Sequence, residues 1–404
     1  MNADTLRAYS WSRQGLDGSL KGKSSREALL KAGWARSVGG ANPYVTIHSR
    51  TGVSRQQIDN DVATAEIHEL PSARGCTYVV PRDHYALALL LSRGEKESQD
   101  IVTAKRFLGV TDAELAKLSE AVLRSLEQGA MDPKQIKDAV GDAARSLGEE
   151  GKKRGSTSTL PMVLGQLQTH GEIRRIPQNG RLDQQRYKYQ IWKPNPLASN
   201  SMIYSEALTE IGKLYFGWIG PASVAHYQWF TGTSGKVAKE ALSPLGLVPI
   251  EEGCDLLMLP TDLEGLHSFR SPTEPHFNLV ASLDSMILLR REVKSLLAQE
   301  DIGRDSATDK ALVPIGSVQD LSCNAILDRG RLVGLWEYEP SSESIVWTSF
   351  VGRSSELNKA VQETEIWIRE QLGDCRSFSL DSPESRAPKI SMLRELEAAE
   401  KTLA

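Results

Sequence analysis

The chain reads as an α+β protein, with tandem units of helices ahead of a short strand pair and a β-rich C-terminal part. Three observations predict this. In two separate places a run of apolar residues at helical spacing ends at a glycine, and strand-like segments follow. Turn-forming steps (Gly39-Gly40, Asn179-Gly180, Gly220-Pro221) punctuate the chain at element boundaries. Residues 275–352 hold alternating runs around short hairpin turns and little helical periodicity.

Residues 1–95 form the first unit. Helical patterning around Ser25–Ala35 leads to Tyr44–Arg50, then to a polar helix near Ser54–Ala65 and a β-branched run, Ala73–Pro81. Residues 96–200 form the second, with helices expected near Gln99–Leu108, Asp112–Gln128 and Asp132–Leu147. Thr111 with Glu114 has capping-box spacing, and Asp132-Pro133 is a cap followed by proline at the first helical position. Leu160, Val163, Leu164 and Leu167 then define a helix that Gly171 is placed to stop. Strands over Ile173–Ile176 and Tyr187–Trp192 follow, with Asn179-Gly180 turning between them.

Residues 201–268 repeat the outline. Helices are expected at Ser205–Phe216, ending at Gly217, at Ala222–Phe230 and at Ser234–Leu245. Strands Leu247–Ile250 and Asp255–Leu259 flank an acidic turn, Glu251-Glu252-Gly253. In residues 269–404, strands Ala325–Leu327 and Arg331–Tyr338 flank the turn Asp328-Arg329-Gly330, and Ser344–Val351 adds another. Glu356–Leu372 reads as an amphipathic helix, and the tail from Asp381 is polar with weak helical character. Helices followed by a strand pair are the outline of a winged helix, so the expected architecture is a set of tandem winged-helix units.

Charge gives that outline a partner. Gly151–Trp192 begins a segment, residues 151–200, with nine Lys or Arg against two acids, a local balance of +7. The whole chain carries −4, yet residues 1–200 sum to +7 and residues 201–404 to −11. A protruding hairpin with that charge density suits phosphate contacts, and the asymmetry suits one oriented face for a polyanion. The expected DNA-contacting residues are Lys152, Lys153, Arg154, Arg174, Arg175, Arg181, Arg186 and Lys188. The acidic wing at Glu251-Glu252 would repel phosphate, so the third unit is expected to be a packing element.

Other classes find little support. Cys76, Cys254, Cys323 and Cys375 are far apart and form no CxxC pair, which argues against structural zinc and against a disulfide framework. No apolar run reaches the roughly 18 residues of a membrane span. The first residues lack the apolar core of a signal peptide, and a cytoplasmic, nucleoid-associated protein is expected. There is no P-loop, metal-spaced Cys/His cluster or G-x-S-x-G elbow. No cofactor, metal or membrane partner is expected. Tyr215, Trp218, Tyr227 and Trp229 fall at helical spacing, which favours core positions over base-stacking platforms.

Four segments resemble one bacterial family, the winged-helix DNA glycosylases of the AlkZ-like and YcaQ-like type. They are Arg74–Pro81 (RGCTYVVP), Tyr215–Gly232 (YFGWIGPASVAHYQWFTG), Ser282–Arg291 (SLDSMILLRR) and Arg329–Trp336 (RGRLVGLW), in the family's order. The resemblance implies tandem winged-helix units around a DNA-binding concavity, and an activity that excises alkylated bases and unhooks interstrand crosslinks. Its reactive element is a Gln-x-Gln or Gln-x-Asp pair. Matching on Arg74-Gly75 and Asn42-Pro43 places that element at Gly39-Gly40-Ala41, where no side chain can hold a water. The family's strand histidine is Tyr78 here.

Gln57-Ile58-Asp59 has the Gln-x-Asp composition, but it lies closer to Arg74 than the match requires and on a polar helix whose ordinary role is solvation. Asn42 and His48 are the other polar groups near Gly39, and a lone histidine is more often structural. The expected function is a duplex-DNA-binding protein on a glycosylase scaffold, tied to damage recognition or repair, with base excision absent or very weak. An active glycosylase using other residues and a transcription regulator are the alternatives.

Overall fold

The computed structural model describes the backbone of residues 1–403 and the side chains of residues 1–400. Ala404, the end of the polar tail, lies outside the described residues. The N-terminal part runs α1 (Ala3–Arg13), α2 (Ser25–Ala32), β1 (Ala35–Arg36), α3 (Asn42–Thr51), α4 (Arg55–Ala63), β2 (Ile67–Pro71), β3 (Thr77–Pro81) and α5 (Tyr85–Arg93). Local chemistry sets the boundaries. Ser24 and Glu27 form a reciprocal capping box on α2, Ser54 caps α4, and Gly52 closes α3 in the left-handed region. The strands form an antiparallel sheet in the order β1-β3-β2. The sequence reading did not anticipate α1, β2 or α5. Helix α5 is apolar over most of its length and buries five of its nine residues, so it carries no polar face to reveal a period.

The second part contains α6 (Gln99–Leu108), α7 (Asp112–Leu126), α8 (Pro133–Val140), α9 (Gly148–Lys153), α10 (Leu160–Thr169), β4 (Ile173–Pro177) and β5 (Tyr187–Ile191). Thr111 caps α7, and Asp132 with Gln135 forms a full capping box on α8. The helix expected to reach Leu147 stops at Val140, because Gly141 takes a positive φ of 50°. Strands β4 and β5 pair antiparallel, from Ile173 opposite Ile191 to Pro177 opposite Tyr187.

The third part is α11 (Tyr204–Ile219), α12 (Val224–Thr231), α13 (Gly235–Leu242), β6 (Val248–Pro249), β7 (Leu257–Met258) and α14 (Pro260–Ser268). Helix α11 does not end at Gly217. It runs on to bury Trp218, whose indole N–H donates to the Leu30 carbonyl at 3.0 Å, and stops at Gly220 (φ 76°). A single helical glycine costs about 1 kcal/mol, less than burying an aromatic returns.

The C-terminal part holds β8 (Phe277–Val280), α15 (Ser285–Leu288), β9 (Asp305–Ala307), β10 (Leu312–Pro314), β11 (Asn324–Asp328), β12 (Arg331–Glu339), β13 (Ser344–Ser349), α16 (Ser355–Trp367) and α17 (Pro383–Leu403). Its main sheet has the order β13-β12-β11-β8. One face, with Ile326, Trp336 and Tyr338, packs against Tyr44, Ile47 and Ala28 of the first part. The other, with Ala325, Leu335 and Val346, packs against Trp11, Met286, Ile390 and Leu393. The tail is therefore a helix that buries Ile390 and Leu393, where the sequence reading saw only weak helical character.

A buried ion pair ties the first and last parts together. Arg50 on α3 and Asp284 meet bidentate at 2.8 Å for both contacts, with neither side chain exposed, and Gln14 and Thr46 accept the remaining guanidinium protons. Thus hydrophobic cores and ion pairs cross the unit boundaries read from the sequence at residues 95/96 and 268/269.

Candidate functional site

The segment between β1 and α3 is where the sequence match put the reactive element. Arg36 at the end of β1 turns its guanidinium onto the Thr77 carbonyl (2.6 Å) and lies over the Tyr78 ring. Ser37 donates to the carboxylate of Glu69 on β2. Next come Gly39, at φ 72°, then Gly40 and Ala41, all buried. What covers them is the strand-less segment before α17. The Ala41 amide donates to the Arg376 carbonyl (2.8 Å), and the Ser379 amide donates to the Val38 carbonyl (3.1 Å).

The glycines permit that approach. A Cβ on Gly40 would sit 2.1 Å from the Ser377 carbonyl oxygen, and one on Gly39 would sit 2.4 Å from the Gln185 side chain. No side chain can be presented from these two positions without displacing the segment. Asn42 does not face a ligand either, because its amide donates to the Arg36 carbonyl and accepts from Thr46.

The other polar residues singled out near this loop are also committed internally. The His48 Nδ1–H donates to the Val53 carbonyl at 2.9 Å, and the ring stacks on Trp367 with centroids 3.9 Å apart. Burial drives its imidazole pKa down to about 4. Asp59 accepts the Tyr44 hydroxyl proton and pairs with Arg55, and Gln57 bonds Asp61 within the same helix. Gln57-Ile58-Asp59 is therefore a helix-stabilising set tied to the core through Tyr44.

The basic hairpin does not protrude as the sequence suggested. Leu182, in the connection between β4 and β5, is fully buried beside Tyr44, whose hydroxyl oxygen accepts its amide proton at 2.9 Å. An apolar residue at the tip gains more from that pocket than from water, so the connection folds back onto the body. Arg181 is consequently held by Asp183 and by the Leu372 carbonyl. Arg175 lies over Tyr187 and reaches Glu69 at 3.3 Å, and Arg174 is half-buried against Trp192 and the Gln190 amide. Lys152 and Lys153 are exposed but pair with Glu149 and Glu150, while Arg154 lies over the Phe107 ring. Arg186 is exposed and Lys188 half-buried on the hairpin, and among the described residues neither side chain has an acidic or hydrogen-bonding partner.

Arg186 lines a cleft of about 420 Å³ with Gln184, Gln185, Arg376, Ser379 and Leu380. Leu380 is 91% exposed at its edge. Glu69 on β2 is buried and receives Ser37, Arg175 and, at 3.4 Å, the Tyr187 hydroxyl. Sequence reading missed Glu69 because β2 itself was missed. The available signal was slight: in Ile67–Pro71 the polar pair His68-Glu69 sits between apolar residues. Among the described residues no group of His, Cys, Asp and Glu could hold a metal ion, and no helix is long and apolar enough to cross a membrane.

Helices and small antiparallel sheets packed around a shared β-rich part define the class as an α+β fold. The model of the DNA glycosylase AlkZ-like family matches residues 35–361, most of the chain, and the chain belongs to that family. Among solved structures it is similar to the Streptomyces sahachiroi DNA glycosylase AlkZ, with a TM-score of 0.67 at 18% identity, covering 93% of this chain and 98% of that one. At that identity the likeness bears on the fold. No curated protein matches the chain.

Proposed function

We propose that this chain binds duplex DNA, including damaged duplex, in a repair or damage-recognition role, and that base excision by a Gln pair of the family type is absent or very weak. The observation that carries the second half is the packing of Arg376–Ser379 over Val38–Ala41. Hydrolytic release of a base needs a polar group to hold water on the far face of an oxocarbenium-like sugar. Gly39, Gly40 and Ala41 offer no side chain that can hold a water, and at Gly39 and Gly40 an added Cβ would clash with its surroundings.

Family membership and the basic first half of the chain support DNA as the partner. Within the hairpin, Arg186 and Lys188 are the residues with charge free for phosphate. Arg174, Arg175 and Arg181 contribute through the field of the face, since each is half-buried and bonded within the protein, to Gln190, Glu69 and Asp183 respectively. Lys152, Lys153 and Arg154 extend that field.

A salt-dependent titration against duplex DNA tests this. Each neutralised phosphate adds about 0.9 to the log–log salt slope, so Arg186→Ala with Lys188→Ala should flatten it by roughly two units. An unchanged slope would remove the hairpin from the interface. A second reading, excision by other residues, has one observation in its favour: Glu69 is a buried carboxylate beside the reactive-loop position. Base release by the wild type that Glu69→Gln abolishes would establish it. Nothing in the structure favours a transcription regulator.

A further inference from the structure

Three of the four aromatics expected to be core are core. Tyr215, Trp218 and Tyr227 are buried, whereas Trp229 on α12 is only partly covered and is flanked by two arginines. The Arg74 guanidinium lies over its ring at 4.2 Å from the centroid and that of Arg291 at 5.3 Å. The two cations differ. Arg291 is bound bidentate by Asp320, so its charge is matched. Arg74 is exposed and, among the described residues, has no acidic or carbonyl partner.

The placement of Arg74 is built in. It sits in the left-handed region, φ 60°, in a turn closed by the Ser72 amide donating to the Cys76 carbonyl and the Gly75 amide donating to the Ser72 carbonyl. Its stem lies against the end of α12, where Gly232 takes φ 72°. A Cβ on Gly232 would come within 2.6 Å of the Arg74 Cγ. The two groups open onto a cleft of about 430 Å³ lined by Arg74, Ala225, Gln228, Trp229, Gly232 and Thr233.

We infer that Arg74, held over the Trp229 ring where the first and third parts meet, is a phosphate clamp that contacts a phosphodiester of duplex DNA. Among the described residues the Arg74 guanidinium has no acid or carbonyl bonded to it, so its N–H donors are free to grip a phosphate bidentate. Both arginines lie over the indole, and the charge left unmatched there, that of Arg74, suits an anion. The acidic turn at Glu251-Glu252 would repel phosphate, so the contact is assigned to Arg74 beside α12 and not to that turn. This inference rests on the proposed DNA-binding reading.

The test uses the full chain, with the binding titration and tryptophan emission measured together. Arg74→Gly removes the guanidinium while suiting the positive φ, and Trp229→Phe reports the local emission. Duplex DNA should change wild-type emission, and both variants should lose that change. Arg74→Gly should weaken binding several-fold and lower the salt slope by about 1. Wild-type binding with an unchanged slope and affinity in Arg74→Gly would overturn the clamp and leave the DNA reading standing. No binding by the wild type at low salt would overturn both. The same emission change from millimolar inorganic phosphate alone would overturn the assignment to DNA.

Discussion

Arg50 and Asp284 place a full ion pair where no water reaches, so each is tolerable only in the presence of the other. Asp284→Asn keeps the shape but leaves the guanidinium charge unmatched. We expect a loss of about 3–5 kcal/mol, read as a lowered denaturation midpoint, and a loss below about 1 kcal/mol, the range of an exposed pair, would contradict the role given to it. His48 supplies a pH signature. Its folded pKa, about 4, lies below the ordinary value near 6.5, so the folded state binds fewer protons. The stability this gives is complete above about pH 6.5 and is lost as pH falls towards 4. His48→Asn should therefore show a shallower decline in unfolding free energy between pH 7 and pH 4.5 than the wild type, and parallel declines would refute it. In the sequence Asp284 stood out within Ser282–Arg291, but Arg50 did not. A charged residue at the end of a short helix gives no local sign that its partner lies 234 positions away.

At the scale of elements, capping chemistry was the most readable feature. Thr111 and Asp132 cap the helices their positions suggested, and the strands expected over Ile173–Ile176 and Tyr187–Trp192 pair as a hairpin. What was hidden is how the hairpin docks. One leucine between Arg181 and Asp183 has no periodic neighbours, so its burial depends on a pocket formed by distant residues. Leu182→Ala should cost about 2–5 kcal/mol and free Arg181 from its internal partners. If unfolding is unaffected, the hairpin connection is not anchored as described. The same logic explains α11, which passes Gly217 because Trp218 has a buried partner in Leu30 that local propensity cannot anticipate.

Across the whole molecule, the β-rich C-terminal part is shared property. One face of its sheet completes the core of the first part, and the other is closed by α17. That sharing also brings Arg376–Ser379 back over the loop after β1, from more than 300 residues away in sequence. The sequence showed that Gly39 and Ala41 lack polar side chains, but not that another segment fills their surroundings. The most direct test is what the wild-type protein does to a duplex carrying N7-methylguanine at enzyme excess, with free base quantified over time. The expected result is a retained protein–duplex complex and base release no faster than the spontaneous rate. Efficient release of free 7-methylguanine would contradict it and move the chemistry to residues outside the Gly39–Ala41 loop.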